Sequence, residues 1–281
     1  MADIKRIVAN ADANARVEGM ELSKDTVDMI EDCLKTDNGS FLFQLYLKNN
    51  RGVLGESDTL ISSKDSKYCY SNGVLKNNMG IKNKVVLDIV VSDNAAFYQT
   101  QIVSGNDNYR FSFDVNSYLN LHRKLFGAIF SFAGDIRDEK IYKSCEPYFR
   151  YKTPFCEPPY IYNCLYNTLE EMKKRLRFLN SREDLVNYLA YYYGQLNMIH
   201  PFREGNGRTL RTYFLLLVKE INKKLSFGDF ELDYSLWSDE DRKALIKSTI
   251  DNSINGPDDI AGIAYCFDKV LVDKSKKRRR I

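Results

Sequence analysis

Hydrophobic positions recur every three or four residues over much of this chain, a period that predicts amphipathic helices. Residues 3–18 have this pattern, and Gly19 follows as a natural left-handed stop. Ser23 is placed to cap a second helix that runs to about residue 34. The apolar face of that helix carries Val27, Ile30 and Leu34. The first 36 residues are therefore expected to be helical.

Residues 37–113 interrupt the helical period. Dipeptides such as Asn-Gly, Arg-Gly and Gly-Glu separate short apolar runs there. Short apolar runs bounded by turn residues are typical of strands. The region is therefore predicted to be a small β-containing subdomain, with its strands in FLFQLYL (41–47), VVLDIVV (85–91), FYQTQIV (97–103) and YRFSF (109–113).

Helical periodicity returns from Val115 onward. Residues 144–162 contain prolines and alternating aromatic residues, which favour a loop or a short hairpin. Residues 167–179 then resume a helical pattern. The helical stretch that begins at Val115 has an apolar stripe, which consists of Leu119, His122, Leu125, Phe126 and Ile129.

The most regular helix begins after Ser181, where Asp184 completes a variant of the capping box. Its apolar stripe consists of Leu185, Tyr188, Leu189, Tyr192, Leu196 and Ile199. Pro201 cannot continue this helix and disfavours helical backbone at His200. A further helix is predicted after Gly207, with its apolar face at Leu210, Phe214, Leu217 and Ile221.

The stretch HPFREGNGRTLR (200–211) connects these two helices. A helix N-terminus binds phosphate through its amides and its dipole, and glycines allow the backbone to approach closely. Arg208 and Arg211 are three residues apart, so both can contact phosphate oxygens. Glu204 suits Mg²⁺ held by one carboxylate together with phosphates and water. His200 suits a general base near neutral pH.

Together these residue types indicate a site for phosphoryl or nucleotidyl transfer. The alternative is a solvated turn between two helices, with a structural histidine and a pair of surface arginines. The order of the residues favours the first interpretation: base, acid, Gly-Asn-Gly and two arginines between two helices.

Composition restricts the class of protein. The 281 residues are 44% hydrophobic and 28% charged, which indicates a soluble globular chain. No run of about 18 apolar residues predicts a membrane span, and the mixed-charge N-terminus lacks the apolar segment of a secretory signal. The six cysteines form no CxxC pair, so reduced thiols in a cytoplasmic protein are expected, without zinc or disulfides.

The net charge of the whole chain is only +3, which is too small to indicate a nucleic-acid partner. The last eight residues, KSKKRRRI, are locally basic. Such a tail is commonly a solvated end, but it also suits a localisation signal or a contact with nucleic acid or a membrane surface. These alternatives stay open.

HPFREGNGRTLR resembles the signature of the Fic family, H-P-F-x-[D/E]-G-N-G-R-x-x-R, at every defined position. Residues 121–137, LHRKLFGAIFSFAGDIR, also resemble the family, with Phe132 where Trp is common. The resemblance covers roughly residues 115–225. It implies a mainly α fold, a Fic-type helical core with the small β-containing segment N-terminal to it, and AMP transfer from ATP to a protein hydroxyl.

The resemblance also implies a role for each residue of the signature. His200 would deprotonate a Ser, Thr or Tyr hydroxyl of the target, and Phe202 would anchor the loop in the core. Glu204 would hold Mg²⁺ against the phosphates of ATP, and pyrophosphate would leave. Gly205, Asn206 and Gly207 would shape an anion hole, while Arg208 and Arg211 would bind the β- and γ-phosphates.

A target-binding flap is implied within Phe149–Cys156. In the family, a hairpin at this place aligns the target chain by strand addition. The flap residues here would be Phe149, Arg150, Tyr151, Lys152 and Thr153. The prolines nearby reduce the number of backbone donors available for such pairing.

A second resemblance lies near the N-terminus, in ANARVEG (13–19). Inhibitory helices of Fic systems carry [S/T]-x-x-x-E-[G/N], and this chain has Asn14 and Glu18 in that register. Residues 21–37 also resemble the second helix of separate Fic antitoxins. The resemblance implies that Glu18 pairs with Arg211 and blocks the γ-phosphate site. Without the resemblance, the sequence indicates only that Glu18 is a solvated glutamate beside a glycine cap.

These observations divide the chain into an inhibitory helical segment (1–36), the β-containing subdomain (37–113), a Fic catalytic core (114–270) and the basic tail (271–281). The expected activity is autoinhibited protein adenylylation, with a target protein or the chain itself as acceptor. Two enzymatic alternatives are removal of AMP from a target and transfer from another nucleotide or a phosphocholine donor. A non-enzymatic alternative is an adaptor that binds a partner or nucleic acid through residues 37–113 and the tail.

Overall fold

The computed structural model describes residues 2–36, 38–50, 66–143, 153–223 and 225–275. Helices dominate it, which confirms the mainly α class. The helices are α1 (Ala2–Val17), α2 (Lys24–Cys33), α3 (Gly39–Asn50), α4 (Lys84–Ser104), α5 (Val115–Phe126), α6 (Ile161–Arg175), α7 (Arg182–Ile199), α8 (Asn206–Ile221), α9 (Asp239–Asn255) and α10 (Ala261–Val270). Short strands are β1 (Tyr142–Lys143), β2 (Thr153–Pro154), β3 (Phe230–Leu232) and β4 (Leu271–Asp273).

The strands predicted between residues 37 and 113 are wrong. FLFQLYL lies in α3, and both VVLDIVV and FYQTQIV lie in α4, while YRFSF is neither helix nor strand. Helix α4 is buried around much of its circumference, so its apolar residues show no helical period and its sequence resembles a buried strand. Helix α3 shows no helical period because Phe41, Leu42 and Leu45 are apolar although they are exposed. In the described part of this region, β pairing is limited to an isolated bridge between Cys69 and Leu75.

Two other turn-type residues of this region mark the ends of α4. The side chain of Asn83 caps α4 by accepting a hydrogen bond from the Val86 amide. Gly105 ends the same helix in the left-handed conformation, at φ 86°. Asparagine and glycine are common at the ends of helices, and they are also common in hairpin turns. The residue types alone therefore do not distinguish the two structures.

The contacts divide the chain into two compact units. The first comprises Met1–Tyr109 and Leu121–Asp135. Helices α1 to α4 share one hydrophobic core there, in which the ring of Phe43 stacks on that of Phe97 at 4.1 Å. Residues before and after position 36 belong to this same core, so the packing shows no boundary there. A separate inhibitory role for residues 1–36 is therefore a proposal about function.

The predicted ends of α1 and α2 are confirmed. Helix α1 stops at Val17, and Gly19 has a positive φ of 76°. The Ser23 hydroxyl accepts a hydrogen bond from the Thr26 amide at 3.1 Å and so caps α2.

The second unit comprises Arg110–Asn120 and Ile136–Ile281, and α7 lies at its centre. This helix packs against α6, α8, α9 and α10. The predicted cap is present, because the Ser181 hydroxyl accepts from the Asp184 amide at 3.0 Å. Strands β3 and β4 pair antiparallel beside α10, with Phe230 opposite Asp273 and Leu232 opposite Leu271.

Strands β1 and β2 form a second antiparallel pair, in which Tyr142 lies opposite Pro154 and Lys143 opposite Thr153. The predicted flap residues 149–152 and the tail residues 276–281 lie outside the described residues. In the part of the chain that the structure describes, no helix combines the length and hydrophobicity needed to cross a membrane.

Candidate active site

His200 ends α7 in a left-handed conformation, with φ 46° and ψ 62°. Its amide still donates to the Leu196 carbonyl at 3.3 Å. Left-handed backbone is costly for a residue other than glycine, so the surrounding structure must hold it there. The following Pro201 prevents the helix from continuing. The chain therefore turns sharply at the candidate base.

The imidazole of His200 has a defined tautomer. Its Nδ1 lies 3.1 Å from the carbonyl oxygen of Asn197. Since a carbonyl only accepts, Nδ1 must donate, which places the lone pair of the neutral ring on Nε2. The ring also stacks on Phe155, with centroids 3.7 Å apart and planes 12° from parallel.

The loop after His200 is braced from within. The Asn206 side chain accepts from the Phe202 amide at 2.8 Å and donates to the Phe202 carbonyl at 2.7 Å. The Phe202 ring is buried and stacks on Tyr118, with centroids 5.9 Å apart and planes 5° from parallel. These contacts fix the path of the backbone between the two helices.

Helix α8 begins at Asn206 with Gly205 as its N-cap, in the left-handed conformation at φ 78°. Gly205 offers no side chain to cap the first-turn amides. Gly207 is the second residue of the helix, so no side chain covers the backbone there either. A helix start of this kind presents amides and the positive dipole end to an anion.

Glu204 precedes this helix start. Its Oε1 accepts from the Gly205 amide at 2.9 Å and from Arg208 Nη2 at 3.0 Å. The Glu204 side chain is 40% exposed. A solvent-accessible carboxylate beside an anion-binding helix start fits Mg²⁺, which binds through one carboxylate together with phosphates and waters. No group of three or more His, Cys, Asp or Glu side chains that could hold a metal ion occurs within the described ranges.

Arg208 and Arg211 both lie in the first turns of α8 and are both buried. Arg211 Nη1 lies 3.5 Å from the Tyr193 hydroxyl, and its carbonyl accepts from the Tyr234 hydroxyl at 3.0 Å. Burial holds the pKa of Tyr234 well above its ordinary value, so this hydroxyl stays a neutral donor. Arg211 is thus positioned from inside the second unit.

Arg137 is a site residue that the sequence analysis did not single out. Its side chain is 2% exposed. Its guanidinium donates to the carbonyls of His200, Glu139 and Cys156, at 2.8, 2.7 and 2.6 Å. Its own amide donates to the Pro201 carbonyl at 2.9 Å. Its position at the end of the family-like lead-in was the available signal.

Asn14 and Glu18 belong to the first unit. Asn14 is buried, and its Nδ2 donates to Gln99 Oε1 on α4 at 2.5 Å. Glu18 is exposed in the turn after α1, where its amide donates to the Ala15 carbonyl at 2.9 Å. Asn14 therefore fixes α1 to α4, and Glu18 lies at the exposed end of α1.

A family model described as the Fic/DOC family matches residues 112–218. The chain contains a Fic domain. This domain includes the whole stretch 200–211 and extends upstream through Arg137 and Phe155.

Curated relatives are similar to part of this chain. The chain is 30% identical over 186 residues to "Protein adenylyltransferase VbhT" of Bartonella schoenbuchensis, covering 66% of this chain and 35% of that protein. It is 34% identical over 114 residues to "Probable protein adenylyltransferase Fic" of Escherichia coli, covering 40% of this chain and 52% of that protein. The chain thus spans about a third to a half of the length of these relatives.

Solved Fic structures have the same fold. The N-terminal Fic domain of a VirB-translocated Bep effector from Bartonella quintana superposes with a TM-score of 0.60 at 23% identity, covering 76% of this chain and 96% of that one. BepC of Bartonella tribocorum, solved with bound AMPPNP, superposes with a TM-score of 0.59 at 20% identity, covering 73% and 96%.

Proposed function

We propose that this chain is a protein adenylyltransferase, which transfers AMP from ATP to a Ser, Thr or Tyr hydroxyl of a target protein. The observation that carries the proposal is the tautomer of His200 beside the start of α8. A ring nitrogen with a lone pair and a glycine-capped helix N-terminus lie in one twelve-residue loop. These are the two parts that in-line transfer of a nucleotidyl group requires: a base and an anion site.

The reaction follows from these groups. Nε2 of His200 accepts the proton of the target hydroxyl, whose oxygen attacks the α-phosphorus of ATP. The bond between the α-phosphorus and the oxygen that bridges to the β-phosphate breaks, and pyrophosphate leaves. The left-handed backbone and the Phe155 stack keep the ring in place, so little reorganisation accompanies proton transfer.

Binding of the triphosphate is assigned to the start of α8. The amides around Gly205 and Gly207 would receive phosphate oxygens, and Arg208 and Arg211 would neutralise the β- and γ-phosphates. Nucleotides occupy two similar Fic structures, AMPPNP in BepC and ADP in a Bartonella quintana domain. Glu204 would hold Mg²⁺, which supplies charge neutralisation of the phosphates.

Recognition of the target is assigned to the segment that joins β1 and β2. Thr153 begins β2 and pairs with Lys143 of β1. We propose that the stretch Phe149, Arg150, Tyr151, Lys152 and Thr153 aligns the target chain by strand addition. The acceptor is another protein or a second copy of this chain.

We also propose that Glu18 restrains the enzyme. Glu18 and Asn14 keep the register of the inhibitory helix, and Asn14 anchors that helix to α4 through Gln99. A carboxylate that pairs with Arg211 would occupy the place of the γ-phosphate. A charge-assisted pair of this kind contributes about 1.5–3 kcal/mol, which restrains activity roughly 10- to 150-fold.

The test is incorporation of label from α-³²P-ATP with Mg²⁺ into lysate proteins, with γ-³²P-ATP as a control against phosphorylation. The samples are wild type, Glu18→Gly, and Glu18→Gly with His200→Ala. We expect α-label alone to be incorporated, to rise in the single variant and to vanish in the double variant. Equal labelling of wild type and Glu18→Gly would remove the proposed restraint but leave the transferase.

No labelling in any sample would overturn the transferase. Label from another α-³²P-nucleotide would then indicate a different donor, and release of AMP from a pre-adenylylated protein would indicate the reverse reaction. Salt-sensitive binding of nucleic acid that is lost on deletion of residues 274–281 would indicate the adaptor.

A further inference from the structure

Three separate segments meet at the guanidinium of Arg137. They contain His200 at the end of α7, Cys156 after Phe155, and Glu139, which lies three positions before β1. The guanidinium donates to one backbone carbonyl in each, those of His200, Cys156 and Glu139. A planar guanidinium has donors that point in several fixed directions, so one side chain holds three carbonyls at set positions.

Two of these carbonyls belong to the segments whose side chains form the imidazole stack. The ring of His200 lies against Phe155, and Cys156 follows Phe155 directly. The Cys156 amide donates to the Met198 carbonyl at 3.0 Å, which gives this segment a second attachment to the last turn of α7. Arg137 therefore sets the separation between the two backbones that carry the stacked rings.

The backbone amide of Arg137 extends this arrangement. It donates to the Pro201 carbonyl, the residue after His200. Arg137 thus holds consecutive carbonyls of the left-handed turn, one through its side chain and one through its backbone. Left-handed backbone at a histidine needs such support, because the conformation is intrinsically unfavourable.

We infer that Arg137 is a positioning residue, which holds the His200 imidazole as the Nδ1-protonated tautomer against Phe155 for proton abstraction at Nε2. It acts through backbone carbonyls and has no assigned contact with ATP or the target. The inference about activity rests on the proposed transferase, whereas the inference about the tautomer does not.

The experiment compares Arg137→Lys with Arg182→Lys in the full-length chain, each in the wild-type and Glu18→Gly backgrounds. Arg182 is a matched control, since it also donates to backbone carbonyls, those of Asp268 and Leu271. It begins α7, about 27 Å from the end at which His200 lies. A lysine keeps the charge but cannot reach three carbonyls at once.

For Arg137→Lys we expect a 10- to 100-fold lower kcat for AMP transfer, about the loss that a displacement of 1 Å causes. The KM for ATP and the Kd for AMPPNP should stay near wild-type values, because the start of α8 is intact. Arg182→Lys should change neither kcat nor KM. Wild-type kcat in folded Arg137→Lys, or an equal fall in Arg182→Lys, would overturn the inference.

A second readout needs no activity. The chain has two histidines, so ¹⁵N NMR of the imidazoles, assigned with His200→Ala, reports the His200 tautomer directly. We expect Nδ1–H in wild type and in Arg182→Lys, and a mixed population in Arg137→Lys. If no protein transfers AMP, the transferase fails, and this measurement alone decides the role of Arg137. An unchanged tautomer in folded Arg137→Lys would then contradict that role.

If melting shows that Arg137→Lys does not fold, the same measurements are made on Phe155→Leu. That variant keeps Arg137 and removes the ring against which Arg137 is inferred to hold the His200 imidazole. A mixed tautomer and a lower kcat support the inference, and wild-type values of both overturn it.

Discussion

The side-chain amide of Asn206 forms two hydrogen bonds with the backbone of Phe202, accepting from its amide and donating to its carbonyl. One polar side chain thereby closes the loop that contains Glu204 and Gly205. The family resemblance assigns Asn206 to the anion hole. The structure shows that the same amide fixes the backbone on which the anion site is built.

Asn206→Ala is therefore expected to lose both stability and transfer. Two buried backbone groups lose their partner, which costs about 1–3 kcal/mol in the free energy of unfolding. Displacement of the loop should lower kcat about 100-fold. Urea denaturation and α-³²P-ATP labelling measure the two effects.

Asn222 provides the matched control for this prediction. Its side chain accepts from the Phe230 amide at 3.0 Å and donates to the Phe230 carbonyl, at the opposite end of α8. Asn222→Ala should cost a similar free energy of unfolding but keep transfer near the wild-type rate. If both variants lose transfer equally, stability and not loop geometry limits the reaction.

Glu204→Gln is expected to raise the Mg²⁺ concentration that gives half-maximal transfer. Glutamine keeps an acceptor for the Gly205 amide and for Arg208, so the local fold should survive. It loses the negative charge that we propose binds the cation, and the requirement should rise about 10- to 100-fold.

Glu157→Gln is the control for Glu204→Gln. Glu157 is an exposed acid that pairs with Lys140 at 2.9 Å. Its removal should leave the Mg²⁺ requirement unchanged. An unchanged requirement in Glu204→Gln would assign Mg²⁺ to other groups.

Local signals explain which helices were predictable. Helices α2 and α7 have a side-chain cap directly before a stripe of period three to four, and both were predicted close to their observed ends. The apolar run of α4 has no such period, because α4 is buried around much of its circumference. The run of α3 has none because Phe41, Leu42 and Leu45 are apolar although they are exposed. Sequence alone then gives no reason to choose helix over strand.

The candidate site was predictable to the same extent. The twelve residues 200–211 are contiguous, so their order alone indicates the base, the acid and the anion site. Arg137 and Phe155 both contact His200, which lies 63 positions after Arg137 and 45 positions after Phe155 in the sequence. Such contacts depend on how the helices pack, and no local pattern encodes them.

Cys156 is expected to react slowly with iodoacetamide. Burial, and then the neighbouring Cys164 thiol at 3.7 Å, raise the pKa of Cys156 to about 11. The thiolate is the reactive form, and at pH 8 its fraction should be on the order of a hundredfold below that of an ordinary thiol. Mass spectrometry of the native protein, with the urea-unfolded protein as control, measures the rate. Equal rates in both states would contradict the raised pKa.

Asp93→Asn is expected to stabilise the protein at neutral pH. Burial raises the pKa of this carboxyl to about 6, although the Thr26 hydroxyl donates to it at 3.2 Å. A raised pKa means that the folded state prefers the protonated acid. Stability is therefore highest below the unfolded pKa near 4, falls as pH rises to about 6, and is level above that. The loss at pH 7 corresponds to about 2–3 kcal/mol.

Asparagine keeps an acceptor for Thr26 and carries no charge, so the advantage of Asp93→Asn should grow between pH 4 and 6 and then stay constant. Urea denaturation at several pH values measures it. Asp88→Asn is the control on the same helix, since Asp88 is exposed and pairs with Lys84. That variant removes an exposed ion pair and should not stabilise the protein at pH 7. If the stability gained by Asp93→Asn instead shrinks as pH rises, the pKa of Asp93 is lowered and not raised, and burial does not determine it.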